Sequence, residues 1–254
     1  MSYTRSANSN DFLNVLANWS DRLVYDEVFE LLPKLNAVRA VGAAFSQADL
    51  VALIIANGQF EVLGTNMTSA LATDGDGGGV LFTTAGASAD SSILLPHLDT
   101  NASAWTRTKW NTLDRIAMGV KIFTGASVAD KGIWAGFKLT NTPVVATDAD
   151  QAFFRWSTSH ADFPTTWVAV YSVGGTDYEI NTGVTVVVST HVTLEITVDA
   201  DRVPHFFIDG KQVAVGTALT TNIDLIPYVG LIANTGSAKT LFIRRIIGSK
   251  DWND

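Results

Sequence analysis

Four histidines, His97, His160, His191 and His205, and no cysteine are the raw material from which most enzymatic chemistry would have to be built here. The lack of cysteine removes thiolate nucleophiles, thiolate metal sites and disulfides together. None of the histidines is spaced with other ligand types in a zinc-like pattern, so each reads as a surface or loop residue. There is no Gly-x-Ser-x-Gly elbow, no phosphate loop and no His-Glu-x-x-His run.

Carboxylates could do two kinds of work. Glycoside hydrolysis needs a pair roughly 5–9 Å apart, which on one strand face appears as acids two or four residues apart. Glu195 and Asp199 have that spacing, but Asp199 stands where a turn should begin, and no Glu-x-Asp-x-Glu run exists. No catalytic residue is assigned. Calcium would use several oxygen ligands, and Asp74/Asp76, Asp148/Asp150 and Asp199/Asp201 are loose candidates. None carries the full EF-hand spacing, and the same residues are ordinary turn formers. The reading is structural turns, with no metal and no cofactor.

Exposed tryptophans can stack on sugars. Trp134 and Trp156 sit in strand patterns and read as core. Trp105 and Trp110 lie in a polar stretch with Arg107 and Lys109 and read as exposed. They would serve either a glycan or a protein interface, where tryptophan is enriched.

The elements that must position these residues come in two textures. Up to residue 58 the pattern is helical. Phe12, Leu16, Trp19 and Leu23 recur at helical spacing, as do Val28, Leu31, Leu32 and Leu35. Ser9-Asn10-Asp11 offers a cap, and Pro33 a stop or kink. A second helix is expected from Gln47 to Ala56, ended by Asn57-Gly58. Phe12, Leu16, Trp19, Leu23 and Phe29 are therefore candidate interface residues, together with Trp105 and Trp110.

From Gln59 onward β-branched residues alternate with polar ones between regular turns. Strands are expected at 60–64, 80–84, 92–95, 116–123, 133–139, 152–157, 167–172, 192–199, 204–208, 211–215, 228–233 and 240–247. Asp209-Gly210 is the turn of a tight hairpin, and Gly174-Gly175 marks another turn. The fold class is all-β: an antiparallel two-sheet jelly-roll sandwich, residues 59–254, with a short helical N-terminal arm, residues 1–58.

Composition narrows the partners. Of 254 residues, 47% are hydrophobic and only 17% charged, against the usual quarter. That balance suggests a surface partly covered by other protein. The net charge of −8 and the lack of a Lys/Arg-rich run argue against nucleic acid, whose binding rests on phosphate neutralisation. Arg244-Arg245, the densest basic spot, lies inside an apolar strand pattern. No stretch approaches the ~20 apolar residues that span a bilayer, so no membrane is expected. Residues 1–10 lack the apolar core of a signal peptide, and synthesis in the cytoplasm is the expectation.

Several stretches resemble the concanavalin/laminin-G-like jelly rolls of tailed-phage virion proteins. His191–Val213 (HVTLEITVDADRVPHFFIDGKQV) and Leu219–Lys250 (LTTNIDLIPYVGLIANTGSAKTLFIRRIIGSK) carry the likeness most clearly. Phe60–His97 and Ile133–Trp156 extend it, so that it covers roughly 59–250. The resemblance implies a non-enzymatic virion protein, most simply a capsid decoration or cement subunit on the capsid exterior. Its partners would be the major capsid protein and sister subunits in a homotrimer. The alternative is a lectin-like receptor-binding or tail-fibre component that binds host glycans.

Overall fold

The computed structural model describes residues 22–28, 61–73, 78–95, 110–140 and 148–251. Sixteen strands are described: β1 (Arg22–Val28), β2 (Glu61–Thr65), β3 (Met67–Thr73), β4 (Gly78–Thr84), β5 (Ser91–Leu95), β6 (Trp110–Asn111), β7 (Ala117–Phe123), β8 (Lys131–Lys138), β9 (Gln151–Ser157), β10 (Thr166–Val173), β11 (Thr176–Thr185), β12 (His191–Val198), β13 (Pro204–Ile208), β14 (Lys211–Val215), β15 (Asp224–Ala233) and β16 (Thr240–Asp251). No helix occurs among the described residues.

The strands form two antiparallel sheets. The first runs β14-β13-β12-β7-β16-β4-β3, and the second β11-β10-β9-β8-β15-β5-β2. Side chains alternate across each strand, so each sheet can offer one face to the other. Phe82, Val120, Ile122, Leu194, Ile196, Phe206 and Ile243 from the first sheet meet Ile133, Phe137, Phe154, Trp156, Trp167 and Val229 from the second in one core. Phe154 and Phe206 touch edge to face across it, 5.4 Å between centroids. This is the two-sheet sandwich expected from the alternation.

Local chemistry sets the hairpins. Asp209 and Gly210 take φ of 49° and 75°, the pair of positive values that the two-residue turn between β13 and β14 requires. Gly174 and Gly175, with φ of 56° and 87°, do the same between β10 and β11.

One segment of the expected helical arm is different. Residues 22–28, which include Leu23, are strand β1, paired antiparallel with β16 from Arg22↔Asp251 to Val28↔Arg245. The cause is on β16. That strand has 12 residues, and β4 pairs only with its Thr240–Ile243 part. The rest of that edge would expose unpaired N–H and C=O groups, and β1 satisfies them. Leu23, Val24, Tyr25 and Val28 suit a strand as well as a helix. Phe12, Leu16, Trp19, Phe29 and the helix expected at 47–56 lie outside the described residues.

Candidate functional site

The second sheet has a second apolar face, turned away from the core. Its rows follow from register. Tyr228 faces Gly136, which faces Phe153, Val170 and then Glu179. In the next row Gly230 faces Trp134, which faces Arg155, Val168 and then Asn181. Ile226 faces Lys138 across β15 and β8, and Gln151 faces Ser172 and Asp177 across β9 to β11. The rows are therefore aromatic and aliphatic in the middle, with polar groups along one end and along the β11 side.

Ile93, Leu95, Trp134, Phe153, Val168, Val170, Ile226 and Tyr228 form a cluster separate from the main core. Tyr228 lies 6.4 Å from Trp134 and 6.4 Å from Phe153, ring to ring. All eight are buried, Trp134 at 1% and Phe153 at 0% exposure. Burial raises the Tyr228 hydroxyl well above its ordinary range, because its anion would be desolvated; the Asp148 charge acts in the same direction.

The polar groups around this cluster are mostly committed. His160 Nδ1 accepts the backbone N–H groups of Asp162 and Phe163, so a neutral ring carries its proton on Nε2. That nitrogen lies 3.0 Å from Glu179 Oε2, while Arg155 reaches Glu179 Oε1 at 3.2 Å. Gln151 donates to Ser172 at 2.7 Å, and Ser172 bonds Asp177 in turn. Lys138 is fully buried, 3.5 Å from Asp148 and over the Phe153 ring. Desolvation lowers the Lys138 pKa, and Asp148 opposes that shift.

Three of the acids singled out in the sequence accept backbone N–H groups. Asp148 accepts the N–H groups of Leu139 and Thr140 and the Thr140 hydroxyl, 3.0–3.1 Å away. Asp150 accepts the Thr220 N–H at 2.9 Å. Asp199 accepts the N–H groups of Asp201 and Val203 and pairs with His205, each at 2.9 Å. These bonds hold its carboxyl below the ordinary range against the opposing effect of burial. Glu195 is buried on β12 in the first sheet. Asp74 and Asp76 lie outside the described residues. No group of three or more metal-binding side chains occurs among the described residues.

Trp110 corrects an expectation. It is 1% exposed, sits on β6 opposite Leu225 and belongs to the main core. The flanking polar residues pointed to a loop, but β6 resumes the edge of β15 that β5 occupies further along, and the indole turns inward. Trp105 lies outside the described residues. Trp134 and Trp156 are buried as expected, but only Trp156 is in the main core. The burial of the outer face escaped the sequence reading. Its signal was present: Ile133–Leu139 and Trp167–Ser172 are apolar at both parities, the mark of a strand covered on both faces.

No family model matches the chain, and no curated protein matches it. Solved structures do. A protein of unknown function from Shewanella oneidensis MR-1 superposes with a TM-score of 0.57 at 9% identity, over 99% of each chain. A Bacillus licheniformis β-glucanase gives 0.51 at 9% identity, over 88% of this chain and 96% of that one. The carbohydrate recognition domain of Emp46p, in its potassium-bound form, gives 0.51 at 9% identity, over 82% and 93%. At such identity the likeness is one of fold, and the fold these residues share with those structures is the concanavalin-like jelly roll.

Proposed function

We propose that this chain is a non-enzymatic structural subunit of a tailed-phage virion, a decoration or cement protein that binds the major capsid protein and its own sister subunits. The resemblance of residues 59–250 to phage jelly rolls supports the virion context. The observation that carries the structural reading is the filled outer face of the second sheet. An open sheet face lined by Trp134 and Tyr228 would suit a polar ligand, but both rings are buried. Trp110, Trp134, Trp156 and Trp167 are all buried, which leaves no exposed tryptophan among the described residues.

The surfaces that remain suit protein contact. β11 is an end strand of 10 residues whose first four are all exposed. An open edge of that length can pair with another chain. Tyr178, Val187, Val188 and Val215, on or next to the end strands β11 and β14, are exposed hydrophobic side chains. The test is addition of the purified chain to capsids that lack it. Saturable binding at a fixed ratio to the major capsid protein, with a raised capsid Tm, is the expected result; no binding overturns the reading.

A second reading, glycan binding, draws support from the two neighbours named as a β-glucanase and a carbohydrate recognition domain. A glycan array separates the two, because the structural reading expects no hits.

A further inference from the structure

β11 ends the second sheet and is bonded to β10 along one side. The two-residue Gly174-Gly175 loop makes Val173 and Thr176 a hydrogen-bonded pair, since that is how such a hairpin closes. Bonded and non-bonded pairs then alternate along the ladder. Tyr171↔Tyr178 and Ala169↔Ile180 are bonded pairs, while Ser172↔Asp177, Val170↔Glu179 and Val168↔Asn181 are not. The N–H and C=O groups of Asp177, Glu179 and Asn181 therefore point away from β10. They line an edge that no other described strand occupies.

The two faces of this edge differ. Toward the first sheet, Tyr178 stacks on Tyr171 with ring centroids 4.8 Å apart, and it is still 42% exposed. Ile180, two residues on, and Val213 on β14 are only partly buried against the main core. A strip of half-covered apolar surface thus runs along this flank of the sandwich. On the outer face stand Glu179, held by Arg155 and His160, and the exposed Asp177 and Asn181. The regular edge stops at a bulge. The pairing with β10 slips between Thr166 and Val168, and Gly183 takes a φ of 72°. There the Asn181 and Thr182 side chains accept the Gly183 and Val184 N–H groups. Regular pairing is left to residues 177–182.

We infer that β11 is a dimerisation strand, pairing antiparallel with β11 of a second copy of this chain about a two-fold axis at Ile180. Charge selects the register. Pairing about residue 177 or 179 sets an acid opposite itself, and pairing about 178 sets Asp177 opposite Glu179. Like charges directly opposite are unfavourable. Pairing about residue 181 or beyond runs into the bulge. Pairing about Ile180 sets Glu179 opposite Asn181 of the second copy, and both residues bring outward N–H and C=O groups to a bonded pair. It sets Ile180 against itself on the apolar side, so the half-covered strips of the two copies join beneath one continuous sheet. The acidic half of each strand lies along the neutral half of the other, which makes the strand its own complement. Such a contact is isologous and closes at two copies. The exposed Val187 and Val188 come next on this flank, on the side where the Gly174-Gly175 turn of the second copy falls. The inference rests on the reading of β11 as an edge for protein contact and adds which chain pairs there and in what register.

The chain has no cysteine, so introduced thiols report the register cleanly. Glu179→Cys, Ile180→Cys and Asn181→Cys are made singly in the full chain and oxidised with copper phenanthroline. I180C should link to itself, because at the axis the two Cα atoms lie about 4.5 Å apart, within disulfide reach. E179C and N181C should each link at least about 10-fold more slowly alone than when mixed, because each faces the other position and not itself. Self-linking fastest at 179 or 181 means another register, and no linking at any of the three means no pairing; either result overturns the inference. A charge swap tests it without touching the apolar strip. Asn181→Asp keeps the oxygen that accepts the Gly183 N–H and the Thr166 hydroxyl. It sets a carboxylate opposite Glu179 of the second copy and should weaken the dimer at least about 5-fold in sedimentation equilibrium; adding Glu179→Gln should restore it. A dimer unmoved by N181D, or not restored by E179Q, overturns the inference. Binding to capsids reads the other claim. Saturable capsid binding by a chain that does not pair overturns this inference alone, and pairing without capsid binding overturns the virion reading alone.

Discussion

The indole of Trp134 occupies the space that a side chain at residue 230 would need. Gly230 is its direct partner across β8 and β15, and a Cβ built there would fall 2.6 Å from both Cε2 and Nε1 of the ring. The glycine is required by this close approach and not by its backbone angle. It lets the ring pack against the backbone of residue 230, 6.4 Å from the Tyr228 ring.

Gly230→Ala should therefore displace the Trp134 ring. Overpacking of this kind costs about 1–3 kcal/mol. Urea denaturation should show the loss, and near-ultraviolet circular dichroism should change while the far-ultraviolet spectrum keeps its β form. An unchanged midpoint would mean that the ring has room to move.

Lys131 gives the stability a pH dependence. Its side chain is fully buried and donates to the carbonyl oxygens of Thr124 and Thr240. Desolvation, helped by the nearby Lys239 charge, lowers its pKa from 10.5 to about 8. Between those values the unfolded chain binds a proton that the folded chain does not. The contribution is thus fully present above pH 10.5 and is lost as pH falls toward 8. Stability from this group should rise with pH across that window. Lys131→Met should flatten the slope between pH 8 and 10, measured by denaturant titration at fixed ionic strength; an unchanged slope would show that the amine does not titrate there.

His160 joins a turn to the sheet. Its Nδ1 holds the Asp162 and Phe163 N–H groups, and its Nε2 faces Glu179. His160→Ala leaves two partly buried donors without their acceptor and should cost about 1–3 kcal/mol. Hydrogen exchange should speed up at 162 and 163 first. Uniform acceleration over the whole chain would indicate global destabilisation instead.

Self-association should depend on the exposed apolar residues after β11. Val187 is 54% and Val188 45% exposed. Val187→Lys with Val188→Lys should weaken assembly in analytical ultracentrifugation and leave the monomer Tm within about 1 °C, since exposed substitutions cost little. Unchanged assembly would place the subunit contact elsewhere.

The parts of this fold that show in the sequence are those where one physical signal dominates. The alternation in Val192–Val198 and the Asp209-Gly210 turn gave β12, β13 and β14 in place. β3, Met67–Thr73, has no aromatic residue, Val or Ile, and the weak β preference of its Ala and Ser hid it; it becomes a strand through pairing with β4. β11 followed a recognised Gly-Gly turn, but its exposed Asp177, Glu179 and Asn181 hid it. β1 could not be read locally, because the edge of β16 that it fills lies more than 200 residues away. The outer face was half legible: runs that are apolar at both parities announce burial on both sides, but spacing cannot say what lies on the second side.

The central claim is a structural role on a virion surface. The measurement closest to it is an image reconstruction of intact particles carrying this chain, read for the number and position of its copies. Many symmetric copies over the capsid exterior, each contacting the major capsid protein, is the result expected. A few copies at one vertex or on the tail, or none in purified particles, would contradict it.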